Sequence, residues 1–411
     1  MKQLSFKIAV QSVGTVVSLL ILISAFCPSA TAKVACEYYS DDMLANFTSA
    51  PAALKSGKKL EINAKSVILM EPKTKTVLYA DNENESVAPA SITKIMSALL
   101  VMETIENEKL SLDSKVSASE HAASMGGSQI WLKPNETMTV DELLRATMIA
   151  SANDATVALA EAVSGSEENF VQRMNERAKE LGMKNTNFVN ACGLDADTHM
   201  TTAHDVAIMA SELIGHDLIK KYSTVWMDTL RDGKSELVNT NKLVRYYEGC
   251  TGLKTGTTSK AGSCVAATAQ KNGMELVAVV MGGANSNERF SGAKKLLDYG
   301  FANWSFASLK ADIEQVQPVK VKNGVNKTVI PQAGQTVNVL LEKGKTDKVT
   351  QKINFENELN APVAVGQQIG TVTFWLNEKQ IGEVPITTAT ASDKITFFYC
   401  LVQILSSALR P

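Results

Sequence analysis

Residues 65–100 read KSVILMEPKTKTVLYADNENESVAPASITKIMSALL and contain the strand and helix patterns that indicate the fold class. The first part of this stretch holds two apolar runs joined by a Pro-Lys-Thr-Lys turn at 72–75, a pattern that predicts a β-hairpin. From Ser91 onwards the apolar residues recur at helical spacing, which predicts a helix directly after the hairpin. Strands and helices therefore alternate from the start of this region.

The chain up to residue 305 continues this mixture. Residues 263–283 contain two β-like runs around a Lys-Asn-Gly turn. Because strand runs lie at both ends of the region with helices between them, we predict an α/β (α+β) domain on an antiparallel sheet over residues 61–305. The further helical patterns cover residues 138–165, 167–182, 201–214 (with Thr201 or Thr202 as N-cap) and 286–301.

The composition changes near residue 310. Short alternating strands punctuated by Gly, Pro and Asn predict a small all-β domain over residues 315–390. This domain contains no cluster of ionisable residues, so we interpret it as a spacer or a binding platform.

Both ends of the chain indicate export. Residues 1–32 combine two lysines, an apolar core and an Ala-Thr-Ala site, which predicts a cleaved signal peptide, with an uncleaved membrane anchor as the alternative. Residues 33–60 are expected to be irregular. Residues 391–411 include fifteen consecutive uncharged residues whose polar members share one stripe of a helix. We predict an amphipathic segment in the membrane interface, the alternative being packing on the protein's own core.

Composition excludes several functions. Lys and Arg total 41 against 43 Asp and Glu, so there is no basic excess for nucleic-acid binding. The four histidines show no paired metal spacing, and no metal or organic cofactor is expected. Cys250 and Cys264 are either disulfide-bonded, which export permits, or free thiols.

The first of three short motifs is Ser91-Ile92-Thr93-Lys94. A three-residue step on a helix places Ser91 and Lys94 on one face. A serine hydroxyl becomes a nucleophile when a base removes its proton, and a lysine is such a base once its pKa is lowered. Burial by the apolar helix that follows would lower it. For this motif alone, an N-capping serine beside a solvated lysine is the favoured interpretation.

The second motif is Ser151-Ala152-Asn153, at the end of a helical run. Its hydroxyl can relay a proton, and its amide can grip a substrate carbonyl or orient the lysine. Ordinary helix-cap chemistry is the alternative.

The third motif is Lys254-Thr255-Gly256-Thr257, at the entry to a strand. Gly256 permits close approach of another chain, and the strand edge can pair with an extended peptide. Lys254 supplies positive charge for a carboxylate and for lowering the pKa of Lys94. The Thr257 N–H can point, with that of Ser91, at an oxyanion. A strand-entry turn is the alternative.

The order and spacing of the motifs strengthen them. Ser151 follows Lys94 by 57 residues, and Lys254 follows Asn153 by 101, an arrangement typical of penicillin-binding proteins and β-lactamases. With MIASANDATVALAEAVSG and NACGLDADTHMTTAHDVAIMASEL, the sequence resembles low-molecular-weight penicillin-binding proteins, more narrowly the serine-type D-alanyl-D-alanine carboxypeptidases of the S11 peptidase family. The resemblance covers residues 60–300, and the β-domain and terminal segment match that family's layout.

The resemblance implies a penicillin-binding/β-lactamase-like transpeptidase fold and a role for each motif. Ser91 is the expected acylated nucleophile and Lys94 its general base. Ser151 and Asn153 form the second active-site element, and residues 254–257 bind substrate. The expected substrate is the peptidoglycan stem pentapeptide, which loses its terminal D-alanine, and β-lactam antibiotics are the expected covalent inhibitors.

Two residues depart from the family pattern. Thr257 stands where many members carry another residue, often histidine, so contacts to the substrate carboxylate are expected to differ. Cys192, in the NACGL string, stands where proline or another small residue often occurs.

Three other functions use similar motifs or the same fold. A β-lactamase-like hydrolase is disfavoured because Ala152 replaces the usual aspartate and a β-domain follows residue 310. A transpeptidase would form the same acyl-enzyme, and only the acceptor distinguishes it. A catalytically silent cell-wall-binding protein is disfavoured because all the motif side chains are present.

Overall fold

The computed structural model describes residues 59–334 and 336–408. The predictions for residues 1–58, namely the signal peptide and most of the irregular segment, lie outside the described residues.

Helices and strands are interspersed between residues 66 and 303. In chain order they are β1 (Ser66–Glu71), β2 (Thr76–Asp81), α1 (Lys94–Glu106), β3 (Lys115–Ser117), α2 (Glu120–Ala123), β4 (Thr137–Thr139), α3 (Val140–Arg145), α4 (Asn153–Ser164), α5 (Glu167–Glu180), α6 (Ala203–Leu213), α7 (Lys220–Ser223), β5 (Met227–Leu230), β6 (Ser235–Val238), α8 (Leu243–Tyr246), β7 (Cys250–Thr258), β8 (Gly262–Lys271), β9 (Met274–Gly283) and α9 (Ser286–Asn303).

A five-stranded antiparallel sheet organises this region, in the order β2-β1-β9-β8-β7. Alternate residues of each strand face opposite sides of the sheet, so Ile68 packs with one layer of helices and Leu69 with the other. The first layer includes α1, which is apolar almost all round and is buried along most of its length. The second layer is α9, which packs on the sheet through Leu296 and its neighbours.

The remaining strands form the predicted all-β region. They are β10 (Trp304–Leu309), β11 (Val319–Lys322), β12 (Thr328–Val329), β13 (Pro331–Ala333), β14 (Val337–Glu342), β15 (Thr350–Phe355), β16 (Glu358–Asn360), β17 (Gln368–Leu376) and β18 (Lys379–Thr388). They make small sheets of two, three and four strands around a separate apolar core. The predicted fold class, a mixed domain on an antiparallel sheet followed by an all-β domain, is confirmed.

One local prediction needs correction. The helix after the hairpin begins at Lys94 rather than Ser91, because Ala90–Thr93 form a 3₁₀ turn. Of the two alternatives for Cys250 and Cys264, the structure has the free thiols. The strand register explains this, since Cys250 lies opposite Ala269 whereas Cys264 lies opposite Gly256.

The chain ends in helix α10 (Phe397–Ala408), none of whose side chains is buried. Packing of this helix on the protein's own core, the alternative raised by the sequence, is therefore not observed. Within the described part of the chain, no helix combines the length and the hydropathy needed to cross a membrane.

Candidate active site

The side chains of Ser91 and Lys94 meet at the amino-terminal end of α1. In a 3₁₀ turn, residues three apart are eclipsed, so the turn at Ala90–Thr93 directs both side chains to one side. Lys94 Nζ lies 3.1 Å from Ser91 Oγ. The first motif is thus brought together by a tighter turn than the helix that its spacing predicts.

Lys94 is fully buried, and two fixed acceptors hold its amine. Nζ donates to Asn153 Oδ1 and to the backbone oxygen of Cys192, each at 2.6 Å. Burial lowers the pKa of Lys94 to about 8, although Cys192 and Asp154 act in the opposite direction. A neutral amine has two hydrogens and one lone pair. With both hydrogens donated to these acceptors, the lone pair is left for the Ser91 hydroxyl.

The second motif supplies one of those acceptors. Asn153 begins α4, and its Nδ2 donates to the backbone oxygen of Gly126 at 2.6 Å. This contact fixes the amide so that Oδ1 faces Lys94.

Ser151 precedes α4 in a left-handed conformation (φ 65°), at the end of a π-helical turn over Ala146–Ala150. Its side chain is buried, and Oγ forms no hydrogen bond to any residue that the structure describes. Ordinary helix capping, the alternative interpretation of the second motif, is not observed, because the π-helical turn changes the direction of the chain before α4. The hydroxyl is left without a competing partner.

The third motif lies on β7, and its lysine is buried beside the first. Lys254 Nζ donates to the backbone oxygen of Thr255 at 3.1 Å. Burial, and then the charges of Lys94 and Arg289, hold the pKa of Lys254 well below its usual range. Lys254 was predicted to lower the pKa of Lys94, but burial is the main cause of that shift.

Gly256 allows β7 to lie against the turn that carries the serine. A Cβ at this position would be 2.9 Å from Ser91 N and 3.1 Å from Ile92 N, too close for any side chain. The glycine therefore brings the strand backbone to the Ser91 N–H. The next residue, Thr257, is exposed.

Arg289, which the sequence analysis missed, supports the third motif from α9. Its Nη1 donates to Gly256 O at 3.0 Å and to Thr257 Oγ1 at 2.8 Å. Because Thr257 Oγ1 accepts this bond, its own hydrogen is free to point outward. Thr255 is committed differently, since its hydroxyl donates to Thr240 Oγ1 at 2.7 Å. No local pattern around Arg289 links it to a motif 33 residues earlier.

A buried histidine was also missed. His199 Nδ1 accepts the backbone N–H of Val189 (3.2 Å), which leaves the ring hydrogen on Nε2. Nε2 lies 2.8 Å from Thr93 Oγ1, which donates to the Ala90 oxygen at 2.9 Å. Ala90 has a φ of 49°, uncommon for a residue with a Cβ, so this chain of bonds holds the residue before Ser91. Burial lowers the pKa of His199 to about 4 and keeps it neutral.

Comparison with known proteins identifies the family of the chain. Residues 52–285 match the family model described as D-alanyl-D-alanine carboxypeptidase, and residues 308–394 match that of the penicillin-binding protein 5 C-terminal domain. The chain is 42% identical to D-alanyl-D-alanine carboxypeptidase DacF of Bacillus subtilis, over 86% of this chain and 93% of that protein.

Solved structures show the same likeness. Penicillin-binding protein 5 from Haemophilus influenzae is 32% identical with a TM-score of 0.68, covering 82% of this chain and 99% of that one. Penicillin-binding protein D2 from Listeria monocytogenes in the ampicillin-bound form is 31% identical with a TM-score of 0.55, covering 59% of this chain and 100% of that one. The family model over residues 52–285 and the 42% identity to DacF place this chain in the peptidase S11 family, and it is a serine D-alanyl-D-alanine carboxypeptidase.

Proposed function

We propose that Ser91 is the residue acylated in this carboxypeptidase reaction and that Lys94 is its general base. The observation that carries the proposal is the 3.1 Å separation of Lys94 Nζ from Ser91 Oγ, with Asn153 Oδ1 and Cys192 O taking the other two directions of the amine. Burial, which lowers the pKa of Lys94 to about 8, keeps part of the population in the basic form near neutral pH.

The reaction proceeds in two steps. Ser91 Oγ attacks the carbonyl carbon of the penultimate D-alanine while its proton passes to Lys94, and the oxyanion receives the N–H groups of Ser91 and Thr257. The C–N bond then breaks, and the terminal D-alanine leaves after its amine takes a proton from Lys94 or through Ser151. A water molecule that gives its proton to Lys94 then attacks the carbonyl carbon of the ester. The bond to Ser91 Oγ breaks, and the serine hydroxyl is restored.

The terminal carboxylate of the substrate binds at the third motif. A carboxylate beside Lys254 favours the protonated amine, which burial alone disfavours. Thr257 contributes the hydroxyl hydrogen that Arg289 leaves free by donating to Thr257 Oγ1. The hydrogen bond from Thr255 to Thr240 holds the strand of the third motif in place beside Thr257.

The test is the intact mass of the protein after incubation with penicillin, a mimic of the D-Ala-D-Ala end. Ampicillin in the solved structure of the Listeria protein supports the choice of probe. We expect one covalent adduct on the wild type, none on Ser91→Ala, and a greatly slowed adduct on Lys94→Ala. D-Alanine release from a pentapeptide should follow the same order. An adduct that persists in Ser91→Ala would refute the assignment of the nucleophile.

We also propose that the enzyme is exported and held at the outer face of the membrane by α10. Phe397 and Phe398 are 76% and 74% exposed, and Ile404 is 64% exposed, so the helix presents apolar side chains that no described residue of the chain covers. Co-sedimentation with lipid vesicles tests this. The double variant Phe397→Ser/Phe398→Ser should lose binding, whereas Gln403→Ser, on the polar stripe, should keep it; equal binding by both variants would contradict the proposal.

A further inference from the structure

Trp131 holds its indole in solvent close to the second motif. Its side chain is 75% exposed, although its neighbours Ile130 and Leu132 are only 6% and 5% exposed. Its backbone is left-handed, with a φ of 59°. For a bulky residue this conformation costs on the order of 1–3 kcal/mol and persists only where the surroundings impose it.

The surroundings that impose it are a buried carboxylate and an arginine. Asp154, which is completely buried, accepts the N–H of Ile130 at 3.2 Å and that of Leu132 at 3.0 Å. On the other side, Arg231 Nη1 donates to the Ile130 oxygen at 2.9 Å. Hydrogen bonds thus fix the backbone on both sides of Trp131, whose large apolar ring stays exposed.

This segment is also tied to the reacting groups. Asp154 directly follows Asn153, whose Oδ1 contacts Lys94. Asn153 Nδ2 donates to the backbone oxygen of Gly126, and the Asn153 backbone N–H donates to that of Ser128, in the segment that leads to Trp131. One helix end therefore sets the position of both the Lys94 amine and the indole.

The indole borders an open hollow of about 580 Å³. Lys133 and Asn135 line it, and Arg231, paired with Glu136 at 2.7 Å, closes its rim. A single aromatic face among amide and charged groups differs from the broad apolar patch that a protein partner would need. It suits a ligand with one apolar face and a polar edge.

We propose that Trp131 and this hollow bind a sugar ring of the glycan strand that carries the stem peptide. The C–H face of a pyranose would cover the indole, and its hydroxyl and acetamido groups would meet Lys133 and Asn135. The proposal rests on the proposed function, because a stem peptide acylating Ser91 brings its attached sugar to this side of the enzyme. The substrate recognised is then a glycopeptide rather than a peptide alone.

The experiment compares D-alanine release from a free pentapeptide and from the same pentapeptide on its disaccharide. We expect the wild type to have a lower KM for the disaccharide form than for the free pentapeptide. Trp131→Ala should raise the KM for the disaccharide form, divided by that for the free pentapeptide, about tenfold. Tyr246→Ala is the matched control, because Tyr246 is an equally exposed aromatic residue (71%) that does not border the hollow. It should leave the ratio unchanged.

Binding without turnover separates this proposal from the proposed function. Calorimetric titration of the disaccharide pentapeptide into Ser91→Ala and into Ser91→Ala/Trp131→Ala should show about tenfold weaker binding in the second protein, whether or not Ser91 is the nucleophile. Equal affinities would overturn the sugar site. An equal loss with the free pentapeptide would also overturn it, since the indole would then contact the peptide instead.

Discussion

With Lys94 as the proposed general base, its neutral fraction would set the rate at which Ser91 is acylated, so the pH dependence of acylation is a quantitative test. With a pKa of about 8, roughly one tenth of the enzyme has a neutral Lys94 at pH 7 and roughly nine tenths at pH 9. The acylation rate should therefore rise about tenfold over this interval and level off above it. A lysine with the ordinary pKa of 10.5 would give a rise of about a hundredfold with no plateau by pH 9.

The assay is the second-order rate of labelling by a fluorescent penicillin between pH 6 and 9.5. Lys115→Ala, which removes an exposed lysine from β3, should leave the profile unchanged. Lys94→Ala should remove the rise and reduce the rate by about 100-fold or more. A flat profile would show that Lys94 is not the titrating base, and a rise that continues beyond pH 9 would show that burial does not lower its pKa as described.

Three further predictions concern residues that position the site. Gly256→Ala should slow acylation more than about tenfold because its Cβ would meet Ser91 N, and an unaffected labelling rate would contradict this. His199 should contribute about 3 kcal/mol of pH dependence to the free energy of unfolding, because its pKa falls from 6.5 to about 4 on folding. This stability is complete above pH 6.5 and is lost as the pH falls through about 4. Urea unfolding at pH 7 and 4.5 measures the loss, which should be smaller in His199→Gln. Asp154→Asn should lower the unfolding free energy by about 1.5–3 kcal/mol, because two buried N–H groups lose a charged acceptor, and a change below 0.5 kcal/mol in urea would argue against that role.

Local sequence patterns determined most of the architecture and the identity of the reacting groups. The hairpin β1–β2, the helix α1 and the β8–β9 turn follow from apolar periodicity and turn residues, which act over a few positions. The nucleophile and the lysine are three residues apart, so one turn is enough to bring them together. Their chemistry, and hence the class of reaction, depends on residue type rather than on the rest of the fold.

The state of the lysine was decided only by the tertiary structure. Its acceptors come from Asn153 and Cys192, which are 59 and 98 residues away in sequence. The sequence predicted that burial and the charge of Lys254 would both lower the pKa of Lys94, and burial is the largest cause of that shift. A sequence pattern of a few residues cannot show which acceptors so far along the chain contact Lys94.

The sequence did not predict the supporting residues either, because their contacts also join residues that are distant along the chain. Arg289 and His199 act on the motifs through single hydrogen bonds across the fold, and the exposed Trp131 depends on a carboxylate 23 positions later. The sequence thus determined which groups are proposed to react, because that proposal depends on residue types and short spacings. Only the tertiary structure decided which protonation state and which orientation they hold, because desolvation and hydrogen-bond geometry arise where distant segments pack together.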